Sequence, residues 1–173
     1  MNKAITLLGM SGAGKTHFSQ RLAAWGWGHY SNDFEIARRL DINVRVDDLS
    51  ALSGFIGQVG DPAQGGLPLD EFRRRQRLYY DAEVGTLKKI KIDTDRFVND
   101  STGSFCEITD DAVIADVADK TLLVYIETDP NDHTDIIKRA QDYPKPLYFP
   151  PAQFDAWLGE YCAAQGVEPD TMA

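Results

Sequence analysis

The chain has 173 residues, 43% apolar and 26% charged, as expected of one globular domain with a sizeable core and no long disordered tract. Its net charge of −9, from 27 acidic and 18 basic residues, argues against duplex nucleic acid as a partner, because displacing counterions takes Lys and Arg. No apolar run approaches the roughly 18–20 residues of a bilayer span, the N-terminal stretch lacks a signal-peptide pattern, and Cys106 and Cys162 lie far apart; a soluble cytoplasmic protein with reduced thiols is expected.

Strand and helix signals alternate along the chain. Residues 3–9 form a short apolar run with β-branched Ile5 and Thr6, the pattern of a buried parallel strand. Residues 15–25 carry Phe18, Leu22, Ala23 and Trp25 at helical spacing, with Gly26 as the stop. A second strand over 29–31 leads to Asp33, placed to cap a helix over 34–40. Asp47 and Asp48 open a further helix with Leu49, Leu52, Phe55, Ile56 and Val59 on one side, and residues 60–68 form a Gly/Pro loop. A long helix is predicted over about 69–92, a third strand over 96–99 ending at Asp100, a helix over 110–119 and a strand over 121–127. Asp129-Pro130 starts another helix, prolines at 144, 146, 150 and 151 interrupt the chain, and a last helix covers about 153–164. This alternation predicts an α/β fold, a three-layer sandwich around a parallel sheet of about four to five strands.

Gly9-Met10-Ser11-Gly12-Ala13-Gly14-Lys15-Thr16 matches the phosphate-binding pattern G-x-x-x-x-G-K-S/T in full, between a predicted strand and a predicted helix. Glycines let the backbone curl with its N–H groups turned inward, and the helix N-terminus adds attraction for an anion. Ser11, Gly12, Ala13, Gly14, Lys15 and Thr16 are therefore the nucleotide-binding candidates, with Lys15 on the outer phosphates and the Thr16 hydroxyl on Mg²⁺. Asp100 ends a predicted strand, where a metal-holding carboxylate is needed; the alternative is a turn start before Ser101-Thr102-Gly103-Ser104. Asp33 also follows a strand, and either orients an acceptor hydroxyl or caps the next helix. The basic run Arg73, Arg74, Arg75, Arg77, Lys88, Lys89 and Lys91 is a solvated helix face, a site for an anionic substrate, or both in different residues.

Beyond these single features, the chain resembles the shikimate-kinase and gluconate-kinase branch of the P-loop small-molecule kinases over about residues 3–149. Besides the P-loop, Tyr30-Ser31-Asn32-Asp33-Phe34-Glu35-Ile36-Ala37-Arg38-Arg39 is similar to the D-S-D…E-I-E-R-R segment of shikimate kinases. Asp70-Glu71-Phe72-Arg73-Arg74-Arg75-Gln76 resembles their E-x-x-F-R-x-R-E helix, and residues 123–127, 137–139 and 144–147 resemble their fourth strand, adenine-side helix and lid. The resemblance implies a P-loop nucleoside-kinase-like domain over 1–173, a substrate-binding helical insert at about 41–92 and a lid at about 138–150. It implies that Asp33 meets the acceptor hydroxyl, that Arg73 holds an acidic group of the acceptor, with Thr102 and Gly103 in the acceptor loop, and that Arg139 and Lys145 close over the nucleotide. The sequence departs from the branch where Ser101-Thr102-Gly103-Ser104 replaces a triple glycine and Lys145 replaces an arginine.

The reading is an ATP- and Mg²⁺-dependent kinase for a hydroxyl of a small, anionic metabolite, with Lys15, Asp33 and Arg139 as the catalytic set and Thr16 and Asp100 at the metal. The alternatives are a kinase of nucleotides or nucleic-acid ends, and a P-loop ATPase or switch acting on a protein partner. His17, His29 and His133 are scattered without metal-ligand spacing.

Overall fold

The computed structural model describes residues 3–142 and 147–172, the side chains of 139–142 excepted. Strands β1 (Lys3–Leu8), β2 (Gly28–Ser31), β3 (Arg96–Asp100) and β4 (Leu122–Tyr125) form an all-parallel sheet in the order β2-β3-β1-β4. The helices are α1 (Lys15–Ala24), α2 (Asn32–Arg39), α3 (Ser50–Ile56), α4 (Leu69–Leu87), α5 (Asp111–Lys120), α6 (His133–Asp142) and α7 (Pro151–Gln165). Among the described residues no helix is long and apolar enough to cross a membrane.

Strand alternation divides the side chains between two layers. Leu7 and Val98 pack on Leu22 of α1, whereas Phe97 on the opposite face packs with Leu87 of α4 and Val113 and Val117 of α5. A separate cluster of Ile36, Ala37, Leu52, Ile56, Phe72, Tyr79 and Ala82 joins α2, α3 and α4 beside the sheet. The result is an α/β sandwich with four parallel strands among the described residues.

The sheet register aligns the strand ends that matter for chemistry. Leu7 of β1 and Ser31 of β2 both pair with Asp100 of β3. The loops after β1, β2 and β3 therefore leave one edge of the sheet side by side, the edge at which ligands bind in open α/β folds.

Three expectations change. Helix α4 ends at Leu87, five residues early, because Ile90 turns back into the core (2% exposed), continuing the helical apolar spacing in a turn. The strand over 121–127 shortens to β4 at the sheet edge, where Leu122 and Tyr125 lie exposed. Helix α2 is capped by Ser31, whose Oγ accepts from Phe34 N at 3.4 Å, so Asp33 sits inside the first turn and does not cap it.

Candidate active site

The loop after β1 has the curl its glycines permit. Gly9, Gly12 and Gly14 all have positive φ, and Ala13 N donates to Met10 O to close the turn into α1. At Gly9 a Cβ would stand 2.7 Å from the Ile126 carbonyl oxygen, so the close approach of the loop to the end of β4 requires glycine. Lys15, the first residue of α1, is buried and donates through Nζ to the Gly9 carbonyl at 2.7 Å and the Met10 carbonyl at 3.0 Å. Burial pulls its pKa below the ordinary lysine value, against the opposing pull of Asp100 and Asp33.

Asp100 ends β3 on the α1 side of the sheet and is 4% exposed. Ser19 Oγ lies 3.3 Å from its Oδ2, while Oδ1 is buried with no hydrogen-bond partner among the described residues. Burial raises the Asp100 pKa, and the nearby Thr16, His29, Lys15 and Ser19 hold the rise back. An orphaned carboxylate oxygen beside the Thr16 side chain fits a magnesium ion that takes one or two protein ligands and completes its shell with phosphate and water. Among the described residues there is no cluster of three or more His, Cys, Asp or Glu side chains that could hold a metal by itself.

A cleft of about 280 Å³ opens at this edge. Ser11, Gly12, Gly14, Lys15 and Thr16 form its floor, and Ser101 and Gly103 one wall. Asp33 enters from α2, and Val46, Asp47 and Leu49 close the side toward α3. Asp33 Oδ1 accepts from the Tyr79 hydroxyl at 3.2 Å, which ties it to α4. Gly103 comes close to Ser11 and to Leu147, and a Cβ there would stand 2.6 Å from Leu147 Cδ2.

The structure thus gathers Ser11, Gly12, Gly14, Lys15, Thr16, Asp33 and Gly103 around one cleft, with Asp100 buried below Lys15 and Ala13 inside the loop turn. It does not bring Arg73 there. Arg73 donates to Asp155 of α7 at 2.8 Å and borders a second cavity of about 120 Å³ with Phe72, Arg77, Tyr148 and Phe154. Thr102 is buried and points away from the cleft, donating to Glu83. The side chain of Arg139 and the whole of Lys145 lie outside the described residues.

Sequence reasoning passed over three residues on the buried face of α4. Gln76 clamps the chain after the predicted lid, donating to Leu147 O at 2.9 Å and accepting from Phe149 N at 3.0 Å. Tyr79 holds Asp33. Glu83 is fully buried and meets the Thr102 and Ser104 hydroxyls. Burial pushes its carboxyl up to about 7, with those two hydroxyls opposing and Asp33 adding to the rise. The available signal was the spacing 72, 76, 79, 83, in which two polar residues occupy the register of Phe72 and Tyr79.

No family profile matches the chain, and no curated protein is similar to it in sequence. Solved structures do resemble it. A shikimate kinase from Bacteroides thetaiotaomicron is 12% identical with a TM-score of 0.52, over 95% of this chain and 80% of that one. A shikimate kinase from Acinetobacter baumannii, solved in complex with shikimate, is 19% identical with a TM-score of 0.47, over 83% of this chain and 66% of that one. One from Aquifex aeolicus is 12% identical with a TM-score of 0.39, over 94% and 99%. The fold is that of the P-loop small-molecule kinases. The likeness to the Bacteroides thetaiotaomicron shikimate kinase is one of fold alone.

Proposed function

We propose that this chain is an ATP-dependent phosphotransferase that places a phosphoryl group on a hydroxyl of a small metabolite. One observation carries the reading: the phosphate loop with Lys15 and the carboxylate of Asp33 line a single cleft at the carboxyl edge of the sheet, with Asp100 buried near Lys15. A kinase needs those three parts, because phosphoryl transfer is mostly positioning and charge stabilisation.

In this reading the loop amides and Lys15 bind the outer phosphates and offset the charge that spreads over the transferring group. Lys15 then exchanges its bonds to the Gly9 and Met10 carbonyls for phosphate oxygens within the same loop. Thr16 and Asp100 hold Mg²⁺, directly or through water. When bound there, the ion would supply positive charge that offsets the charge of the phosphates. Asp33, held by Tyr79, orients the acceptor hydroxyl and takes its proton as the new O–P bond forms and the bond from the terminal phosphorus to the β-phosphate oxygen breaks, releasing ADP. Arg139 and Lys145, the proposed lid residues, would exclude water, which would otherwise receive the phosphoryl group. The expected anionic acceptor rested on Arg73, which faces the second cavity, so the acceptor is proposed as a small hydroxyl compound without a charge class.

Titration with a fluorescent ATP analogue, with Mg²⁺ and with EDTA, tests the nucleotide half. Binding should depend on Mg²⁺, be lost in Lys15→Ala, and lose its Mg²⁺ dependence in Asp100→Asn. Equal binding by the wild type and Lys15→Ala would refute the assignment.

A further inference from the structure

The proposed mechanism uses Asp33 but gives no role to the buried carboxyl beneath it. Glu83 stands on α4 one helical turn from Tyr79, has no exposed surface, and is not part of any hydrophobic cluster. A carboxyl at a core position carries a large desolvation cost, which persists only where specific partners offset it. Its partners are specific. Thr102 Oγ1 donates to Glu83 Oε1, and Ser104 Oγ lies 3.1 Å from Oε2. Both belong to the loop after β3, and Gly103 between them borders the cleft. This loop thus has two hydroxyl residues that turn inward to one helix carboxyl.

The contacts continue to the cleft. Ser104 lies beside the Tyr79 hydroxyl, and Tyr79 donates to Asp33 Oδ1 at 3.2 Å. Ser104 has one proton and can donate to only one of Glu83 and Tyr79. When Glu83 carries a proton, Glu83 donates to Ser104, Ser104 to Tyr79, and Tyr79 to the ionised Asp33. The chain then runs in one direction with each of these three donors used.

We infer that Glu83 is the positioning residue of the acceptor half of the site: it pins loop 101–104 to α4 and, through Ser104 and Tyr79, orients the carboxylate of Asp33. The inference deepens the kinase reading and rests on it for the word acceptor, but the geometry it claims belongs to the free protein. Among the described residues, the titratable groups that face Glu83 are Asp33 from α2 and Tyr79 on α4 itself.

The test compares wild type, Glu83→Gln, Glu83→Ala and Thr102→Val by amide hydrogen exchange of the peptide spanning 99–107, together with affinity for a fluorescent ATP analogue. Carboxyl ¹³C titration of Glu83 is added in wild type and Asp33→Asn. The expected result is exchange at least tenfold faster in Glu83→Ala and Thr102→Val, and near wild type in Glu83→Gln, which keeps an acceptor for Thr102. Nucleotide affinity should stay within about twofold throughout, and the Glu83 midpoint should fall in Asp33→Asn. Exchange unchanged in Thr102→Val, which keeps the shape of the site even if Glu83→Ala fails to fold, would overturn the inference. So would a Glu83 midpoint indifferent to Asp33. Failure of the wild type to bind nucleotide would instead strike the kinase reading and leave the exchange and titration results to decide this one.

Discussion

Replacing Glu83 by Gln should remove a pH dependence of stability whose size follows from the fold. The ordinary glutamate value is 4.5, and burial among α4, Thr102 and Ser104 lifts the folded value to about 7. Between these two values the folded chain holds a proton that the unfolded chain has released. Stability from this group is therefore fully present below pH 4.5, declines as pH rises, and is gone above about 7. At about 1.4 kcal/mol per pH unit, the interval from pH 5 to pH 8 spans a loss of about 2–3 kcal/mol. Gln cannot ionise, so the variant lacks that decline, whatever constant offset its amide introduces. Urea unfolding of both proteins at pH 5, 6, 7 and 8 measures the difference, with an unchanged m-value as the check that the unfolded state is comparable. Titration of other groups, including Lys15 and Asp100, is shared by both proteins and cancels to first order. Parallel stability curves for wild type and Glu83→Gln would refute the reasoning, since they would show Glu83 already ionised in the fold.

Two further substitutions probe the site's walls. Gly9→Ala puts a Cβ 2.7 Å from a backbone carbonyl at φ +144°; a loss of about 1–3 kcal/mol is expected, read as a lower melting temperature, with weaker nucleotide affinity in the same titration. Arg73→Ala breaks a half-exposed ion pair with Asp155; it should cost about 0–1 kcal/mol and leave both nucleotide affinity and phosphoryl transfer near wild type. A selective loss of acceptor affinity in that variant would return Arg73 to the acceptor site.

What was legible in the sequence was chiefly what is local. The phosphate loop is a run of eight residues whose glycines and lysine carry their own geometry, and it emerged on the strand-to-helix turn expected of it. The place of Asp100 and Asp33 at the carboxyl edge of the sheet was also legible, because a carboxylate at or just after the end of a strand is a positional signal that survives without tertiary knowledge. Arg73 shows where such reading stops. It adjoins Phe72, which is buried, and one residue turns a helix by about 100°, so Arg73 leaves the buried face of α4. The same face carries Gln76 and Glu83, whose roles depend on hydroxyls and carbonyls far away in sequence, at 102, 104, 147 and 149. Those partners are brought together only by packing α4 against the loop after β3 and the segment before α7.

The central claim is that a phosphoryl group passes from ATP to a hydroxyl held by Asp33. Its most direct test is ADP release from ATP and Mg²⁺, alone and then with neutral polyols, hydroxy acids, amino alcohols, nucleosides, nucleotides and DNA ends, with Lys15→Ala as the blank. The account predicts slow release alone, strong stimulation by one class of hydroxyl compound with phosphate recovered on it, and loss of that stimulation in Asp33→Asn. Steady hydrolysis that no hydroxyl compound stimulates, unchanged by Asp33→Asn, would contradict it and point to an ATPase acting on a protein partner.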